Sequence, residues 1–146
     1  MTVPETEGAS ASNGPLMPPF FVYGTLTDSV QVARLLNEWS FGPDARVDGL
    51  HRAEGRYPTL APGGSVSGRL LETDETATLD TYEGVDSGLY VRVELPRADG
   101  GSAYAYVGDA GRLNADAEWP GEGDLRTRVE RYLSENSVVV EPRESG

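Results

Sequence analysis

Two segments with alternating apolar residues constrain the fold of this chain more than any other feature of its sequence. YVRVEL at 90–95 and AYAYV at 103–107 flank PRADGGS, in which Asp-Gly-Gly is typical of a tight turn. Apolar side chains at every second position place one face of each strand against a core. The sequence therefore predicts an antiparallel hairpin over residues 90–107.

Further strands and helices are predicted around this hairpin. The strand candidates are PFFVY at 19–23, the segment around ARVDGLH at 45–51, and SVSGRLLE at 65–72. Apolar residues at helical spacing predict three helices, at 28–39, 74–82 and 124–133. Because strands outnumber helices and two of them form a hairpin, we expect an α+β fold with a small mixed, barrel-like sheet and flanking helices.

The length of 146 residues fits one domain. Residues 1–17 are small, polar and rich in Pro, Gly and Ser, with too little apolar surface to offset the entropy of ordering. We therefore expect a disordered N-terminal tail over 1–17, a single domain over 18–140, and a flexible C-terminal tail over 141–146.

The cysteine and histidine content excludes several kinds of chemistry. The chain has no cysteine, which removes disulfides, thiolate metal ligands and thiol nucleophiles together. Its one histidine, His51, does not suffice for a multi-histidine metal site, and a lone histidine is more often structural or solvated than catalytic. We expect no metal centre.

The charge balance is strongly acidic. Asp and Glu number 24 against 12 basic residues, all of them arginine, for a net charge of −12. Such a surface repels phosphate backbones and anionic lipids, so we expect no nucleic-acid or membrane partner. It also indicates adaptation to high salt, where counterions screen the self-repulsion. Neither a membrane-length apolar run nor a secretory signal is evident, so we expect a cytoplasmic protein.

The corner formed by Tyr23, Gly24, Thr25 and Leu26 joins the first predicted strand to the first predicted helix. Such a corner brings unpaired amides together at a helix N-terminus, where negative charge is favoured, and glycine permits close approach of a ligand. The corner suits a carboxylate. The same residues also fit an ordinary strand-to-helix turn.

Glu83 is a candidate general base. It lies at the predicted C-terminal end of a helix, beside Tyr82 and near Leu79 and Val85. The negative helix end and burial both disfavour its charged form and raise its pKa toward neutrality, as a base working near pH 7 requires. A solvated glutamate, one of 24 acidic side chains, is the competing interpretation. Tyr57 and Tyr90 are either pocket walls or core residues.

Taken together and in order, FFVYGTL, LDTYEGVDSGLYVRVEL and AYAYV resemble the gamma-glutamylcyclotransferase-like family over roughly residues 20 to 107. The resemblance implies a small mixed barrel-like sheet, with a pocket between the Tyr-Gly-Thr-Leu loop and the glutamate of Tyr-Glu-Gly. Tyr23 to Leu26 would bind the substrate, with Tyr90 as a pocket wall, and Glu83 would be the catalytic acid/base.

The activity that the resemblance implies needs no cofactor. Family enzymes release the amine or amino acid attached to a γ-glutamyl group, and the glutamyl part closes into 5-oxoproline. The attacking α-amine is tethered to the γ-carbonyl, so ring closure gains a large effective molarity. Glu83 would take a proton from this amine and return it to the leaving amine.

Other functions stay open at this point. A non-catalytic module could use the same pocket to bind a carboxylate or γ-glutamyl metabolite, although an anionic ligand gains nothing from Glu83. A hydrolase would cleave the same γ-amide with water and release glutamate. Residues 108–123 do not match the family pattern, and the sequence assigns neither the leaving amine, the oxyanion donor nor the oligomeric state.

Overall fold

The computed structural model describes residues 18–115 and 117–142, without the side chain of Thr25. Six strands and four helices lie in these ranges, together with a 3-10 turn at Thr25–Thr27. The strands are β1 Phe20–Val22, β2 Ser40–Ala53, β3 Thr59–Glu72, β4 Tyr90–Pro96, β5 Ser102–Gly108 and β6 Val140–Pro142. The helices are α1 Ser29–Leu35, α2 Thr76–Glu83, α3 Ala110–Leu113 and α4 Leu125–Glu135.

The six strands form one mixed sheet in the order β4-β5-β1-β3-β2-β6. β1 is parallel to β5 and antiparallel to β3, while the other neighbours are antiparallel. The two outer strands approach each other at one end, where Arg97 forms a parallel bridge with Val140 and the Ala98 amide donates to the Val140 carbonyl at 2.8 Å. The sheet is therefore a curled half-barrel, and the predicted α+β, barrel-like fold is confirmed.

The predicted hairpin is present as β4 and β5. Its register places Tyr90 opposite Gly108 and Arg92 opposite Tyr106, and the Arg97 amide donates to the Gly101 carbonyl across the turn at 3.0 Å. Alternation along these strands sends successive side chains to opposite faces. This register brings the two strands' aromatic and charged side chains onto the face where the candidate site lies.

Both faces of the sheet are covered, as the two adjacent phenylalanines of β1 show. Phe21 belongs to a core cluster that includes Leu60, Leu70 and Val129 of α4. Phe20 points to the opposite face and belongs to a second cluster. That second cluster contains buried residues of three helices, Val32, Leu79 and Leu113. α1, α2 and α3 therefore pack on one face of the sheet and α4 on the other.

The first helix is shorter than the 28–39 predicted. α1 ends at Leu35, and Leu36 already has an extended backbone with φ −112° and ψ 147°. The next two amides, of Asn37 and Glu38, donate to the Glu75 carboxylate at 2.9 and 2.7 Å. A side chain from the start of α2 thus accepts the hydrogen bonds of two amides that would otherwise have continued the helix. The chain then turns toward β2.

β2 and β3 are each 14 residues long, much longer than the predicted segments at 45–51 and 65–72. Their pairing absorbs the Gly and Pro residues through register shifts between Phe41 and Asp44 and between Asp48 and Leu50. Such bulges let a strand continue through residues that read as breaks. The prediction therefore missed the dominant hairpin of the fold.

The chain ends differ partly from the predicted boundaries. The predicted N-terminal tail, residues 1–17, lies outside the described residues. Glu141 and Pro142, assigned to the C-terminal tail, belong to β6 and pair with Arg46 and Ala45 of β2. Among the described residues, no helix has the length and apolar character that a membrane crossing requires.

Candidate active site

The corner after β1 is held by its own backbone. A 3-10 turn follows Gly24, whose carbonyl accepts the amide of Thr27 at 3.0 Å and its hydroxyl at 2.7 Å. The amides of Thr25 and Leu26 precede that first hydrogen bond, so they have no acceptor within the turn. α1 begins only after Asp28, whose carboxylate accepts the Val30 amide at 2.9 Å. The N-terminus of α1 is therefore capped by the chain itself, and the amides of the corner that are left without a partner in the turn belong to the 3-10 turn and not to α1.

Glu83 is the last residue of α2. Gly84 follows with φ 75° and ψ 34°, a left-handed conformation that glycine adopts without strain, and its amide caps the carbonyls of Asp80 and Thr81. Leu79 is buried in the core and fixes the helix on the sheet. Glu83 itself is half-buried, and this burial raises its pKa from the ordinary 4.5 to about 7.

A cavity of about 320 Å³ lies between the corner and the end of α2. Its lining residues are Phe21, Val22, Tyr23, Gly24, Leu26, Tyr57, Pro58, Tyr82, Glu83, Gly84, Leu89, Tyr90 and Tyr106. Glu83 supplies the one charged side chain of this described lining, and five of the chain's seven tyrosines surround it. A mostly apolar cavity of this size with few polar groups is typical of small-molecule sites.

Three of these tyrosines are fixed by hydrogen bonds from their hydroxyls. Tyr23 donates to the Tyr106 carbonyl at 2.5 Å, and Tyr90 donates to the Pro58 carbonyl at 2.6 Å. Tyr106 donates to the Asp80 carboxylate at 2.7 Å. Burial raises the pKa of all three phenols, and the nearby negative charge of Glu83 raises it further. They remain neutral at physiological pH.

Asp80 and Arg92 form an ion pair behind the cavity. The Arg92 Nε lies 3.1 Å from the Asp80 carboxylate, and its guanidinium carbon lies 4.6 Å from the ring centroid of Tyr104. The Arg92 carbonyl accepts an Arg126 N–H at 2.7 Å. Arg92 thus forms an ion pair with an acidic side chain, as strand arginines commonly do. This ion pair connects α2 to the β4–β5 hairpin.

The structure brings together candidate site residues from three places in the chain, namely the corner after β1, the end of α2 and the start of β4. Tyr23, Gly24, Leu26, Glu83 and Tyr90 all line the cavity. Thr25 lies in the 3-10 turn, and its side chain is outside the described part. The catalytic and binding roles assigned to these six residues stay predictions.

Two of the five lining tyrosines, Tyr82 and Tyr106, were not candidates in the sequence analysis. Tyr106 is buried, whereas Tyr82 is 48% exposed and Tyr57 is 55% exposed. The signal for Tyr106 was present, because a hairpin closed at Asp-Gly-Gly places it directly opposite Arg92. Trp119 is not part of the described cavity lining, and it packs edge-on against Tyr132 with 5.4 Å between the ring centroids.

His51 has a structural contact. Its Nδ1 lies 3.0 Å from the Gly63 carbonyl in the β2–β3 hairpin, and it is not part of the described cavity lining. Within residues 18–115 and 117–142, no group of three or more His, Cys, Asp and Glu side chains is arranged to hold a metal ion.

A curled mixed sheet carries a tyrosine-lined cavity around one carboxylate, the kind of cavity that is typical of small-molecule sites. Residues 20–125 match the sequence model of the family described as gamma-glutamyl cyclotransferase, AIG2-like. The chain belongs to this family, as the resemblance of its motifs indicated.

Solved structures support the same fold. A crystal structure of an uncharacterized protein from Homo sapiens is 20% identical with a TM-score of 0.56, over 81% of this chain and 79% of that one. A structure described as a gamma-glutamyl cyclotransferase is 18% identical with a TM-score of 0.53, over 82% and 79% of the two chains. A solution structure from Arabidopsis thaliana is 25% identical with a TM-score of 0.53, over 85% and 91%. No curated protein sequence matches the chain.

Proposed function

We propose that this protein is a cofactor-free γ-glutamyl cyclotransferase, which releases an amine or amino acid from a γ-glutamyl compound with formation of 5-oxoproline. The observation that carries the proposal is Glu83, a half-buried carboxylate in a tyrosine-lined cavity with its pKa raised to about 7. A side chain with this pKa exchanges protons readily at neutral pH. Family membership supports the reaction class.

In this proposal Glu83 acts first as a base. The α-amine of the substrate has a reference pKa of roughly 8, so at neutral pH it is mostly protonated and not nucleophilic. The Glu83 carboxylate takes one proton, and the amine nitrogen attacks the γ-carbonyl to form a five-membered tetrahedral intermediate. The pKa values of donor and acceptor are nearly matched, which keeps the proton transfer close to isoenergetic.

Glu83 then acts as an acid. It returns its proton to the nitrogen of the leaving amine, and the bond from the γ-carbon to that nitrogen breaks. The ring nitrogen passes its own extra proton to the released amine, which departs as an ammonium, and 5-oxoproline remains. Because nucleophile and carbonyl belong to one molecule, the main task of the site is to hold the glutamyl chain in a folded conformation. The apolar lining from Phe21, Val22 and Leu89 limits water, which would otherwise compete as the nucleophile.

The corner at Gly24 to Leu26 serves as the substrate-binding loop. Its amides at the start of the 3-10 turn bind the α-carboxylate, and Tyr23 and Tyr90 form the walls on either side of Glu83. A module that only binds an anion is disfavoured, since Glu83 is the charged group of the described cavity lining and would repel the ligand.

A substrate panel tests the proposal. γ-Glutamyl amino acids, γ-glutamylamines and ε-(γ-glutamyl)lysine are incubated with wild type, Glu83→Gln and the control Glu130→Gln, and 5-oxoproline and glutamate are quantified. Glu130 is exposed on α4 and lies 3.8 Å from Arg126, remote from the cavity. We expect 5-oxoproline from wild type and the control, and its loss in Glu83→Gln. Glutamate as the product would show a hydrolase, and binding without product would show a binding module.

A further inference from the structure

The hydroxyls of Tyr23, Tyr90 and Tyr106 have no proton left to donate into the cavity. A phenol carries one O–H, and those of Tyr23 and Tyr90 are given to backbone carbonyls at 2.5 and 2.6 Å. A carbonyl oxygen only accepts, so in each pair the phenol must be the donor. What these two hydroxyls still offer is a lone pair.

Tyr106 is in the same position. Its hydroxyl lies 2.7 Å from an oxygen of Asp80, and Arg92 lies 3.1 Å from that same oxygen. The Asp80 carboxylate therefore accepts the Tyr106 proton and is ion-paired with Arg92, so this proton is not available to a ligand in the cavity. We call the hydroxyl oxygens of Tyr23, Tyr90 and Tyr106 the acceptor cluster.

The charge of the cavity matches these acceptors. Its described lining contains no lysine, arginine or histidine, and its one ionisable carboxylate is Glu83. All three phenols line the same cavity as Glu83, and after the larger effect of burial the negative charge of Glu83 contributes to raising their pKa values. Lone pairs beside a carboxylate form a site for a cation with several N–H donors, not for an anion or a neutral carbonyl.

We infer that the acceptor cluster, together with Glu83, binds the α-ammonium group of the γ-glutamyl substrate. This inference rests on the proposed function and adds the place of the amine. A primary ammonium carries three N–H bonds, which suit the carboxylate and two of the hydroxyl oxygens. Held there, the amine lies next to the base that deprotonates it, and its position is set by hydroxyls that are themselves fixed by hydrogen bonds.

The inference also limits the source of oxyanion stabilisation. Hydroxyls that already donate to Pro58, Tyr106 and Asp80 cannot donate to an oxygen of the tetrahedral intermediate without breaking those bonds. The donor for the oxyanion is therefore a group other than the acceptor cluster. Tyr phenols that line an active site would otherwise be the first candidates for that role.

A matched pair of ligands tests the inference. γ-Glutamyl-ethylamide carries the α-ammonium, and glutaric acid mono-ethylamide lacks only that group. Binding of both is measured by calorimetry in a Glu83→Gln background, where the first ligand is not turned over, and the ratio of the two dissociation constants reports on the ammonium alone. The variants Tyr90→Phe, Tyr23→Phe and Tyr106→Phe are added to this background one at a time.

The control is Tyr104→Phe. Tyr104 lies on the same strand as Tyr106, but it is outside the described cavity lining. We expect the amine-bearing ligand to bind about tenfold or more tightly than its desamino partner, since hydrogen bonds to a charged group are involved. Tyr90→Phe and Tyr23→Phe should each reduce this ratio several-fold, and Tyr104→Phe should leave it unchanged.

Equal weakening of both ligands, or a ratio that no tyrosine changes, would overturn the inference. A purely structural role of these residues gives the first of these results, because loss of packing affects both ligands alike. Formation of 5-oxoproline by wild type together with an unchanged ratio would overturn the inference and leave the proposed function standing. Absence of binding by both ligands, with no product from wild type, would overturn both.

Discussion

Asp80 and Glu83 lie one helical turn apart on α2, but the structure gives their carboxylates opposite surroundings. Asp80 accepts a hydrogen bond from the Tyr106 hydroxyl at 2.7 Å and forms an ion pair with Arg92 at 3.1 Å. Glu83 faces the cavity, where burial without a compensating cation raises its pKa to about 7. One carboxylate is engaged by its neighbours, and the other is left available for proton transfer.

The two surroundings explain why Glu83, among 24 acidic residues, is the candidate for proton transfer. Chemical type does not distinguish the two, since both are ordinary carboxylates on the same helix. Their partners do, because Asp80 is paired with Arg92 and Tyr106, whereas burial without a paired cation raises the pKa of Glu83. Asp80 also fixes the helix that carries Glu83, so the engaged carboxylate positions the available one.

Removing the available carboxylate should have the largest effect. We expect Glu83→Gln to lower kcat/KM for 5-oxoproline formation by about 10²- to 10⁴-fold, the usual contribution of a positioned acid/base. The amide keeps the shape of the side chain but has no basic oxygen. A variant that retains more than a tenth of the wild-type rate on the best substrate would show that another group moves the proton.

Removing the engaged carboxylate should instead destabilise the fold. Asp80→Asn weakens the contacts with Arg92 and Tyr106, and we expect the free energy of unfolding in urea to fall by about 2 kcal/mol. Asp48→Asn is the matched control, because the Arg46–Asp48 pair is more than half exposed and should contribute less than about 1 kcal/mol. Equal effects of the two substitutions would remove the contrast between Asp80 and an ordinary surface acid.

The pH dependence of stability should separate Glu83 from its glutamine variant. The pKa of about 7 in the folded protein exceeds the ordinary 4.5, so the folded state binds more protons between these values, and its stability falls as pH rises through this window. Glu83→Gln lacks this loss. We expect its free energy of unfolding to exceed that of wild type by about 1–2 kcal/mol above pH 7, after allowance for the partial exposure of Glu83. Below pH 4.5 we expect this pH-dependent difference to be absent.

Unfolding titrations at a series of pH values measure this difference directly. A constant gap between wild type and Glu83→Gln from pH 4 to 8 would mean that Glu83 is not desolvated. The activity profile gives a second reading, since the wild-type limb near pH 7 should be absent from the residual rate of the variant.

A conservative change of the engaged partner should have the smallest effect. Arg92→Lys keeps the positive charge near Asp80 but loses the planar group over Tyr104, and we expect a loss of about 1 kcal/mol. Thermal unfolding measures it, with Arg46→Lys as the exposed control. A loss as large as that of Asp80→Asn would mean that the guanidinium geometry, and not the charge, holds α2.

The sequence predicted those parts of the fold that local pattern determines. The β4–β5 hairpin follows from alternation and a glycine turn, and α4 follows from apolar spacing over 124–133. The full length of β2 and β3 was not predictable in this way. Their Gly and Pro residues indicate breaks locally, and only the long-range pairing of the two strands shows that the breaks are bulges.

The residues of the candidate site also differ in how far local sequence pattern could predict them. Tyr23, Glu83 and Tyr90 lie in contiguous motifs, so the sequence could single them out as candidates. Tyr106 needs the strand register, and its bond to Asp80 needs the packing of α2 on the hairpin. Asp28 was one of two cap candidates of the sequence and does cap α1, whereas the 3-10 turn inserted before it adds residues that no periodicity indicates.

β1 has a further consequence for the order in which the protein is made. Phe20 pairs with Leu71 on one side and with Tyr104 on the other, so this short strand joins the two halves of the sheet. During synthesis it leaves the ribosome before either partner. Its edge toward β3 can pair once residue 71 has followed, whereas its edge toward β5 stays unpaired until residue 104 has followed. The corner at Gly24, which directly follows β1, is therefore synthesised first among the elements of the site, while the sheet that supports it is completed only when β5 has been made.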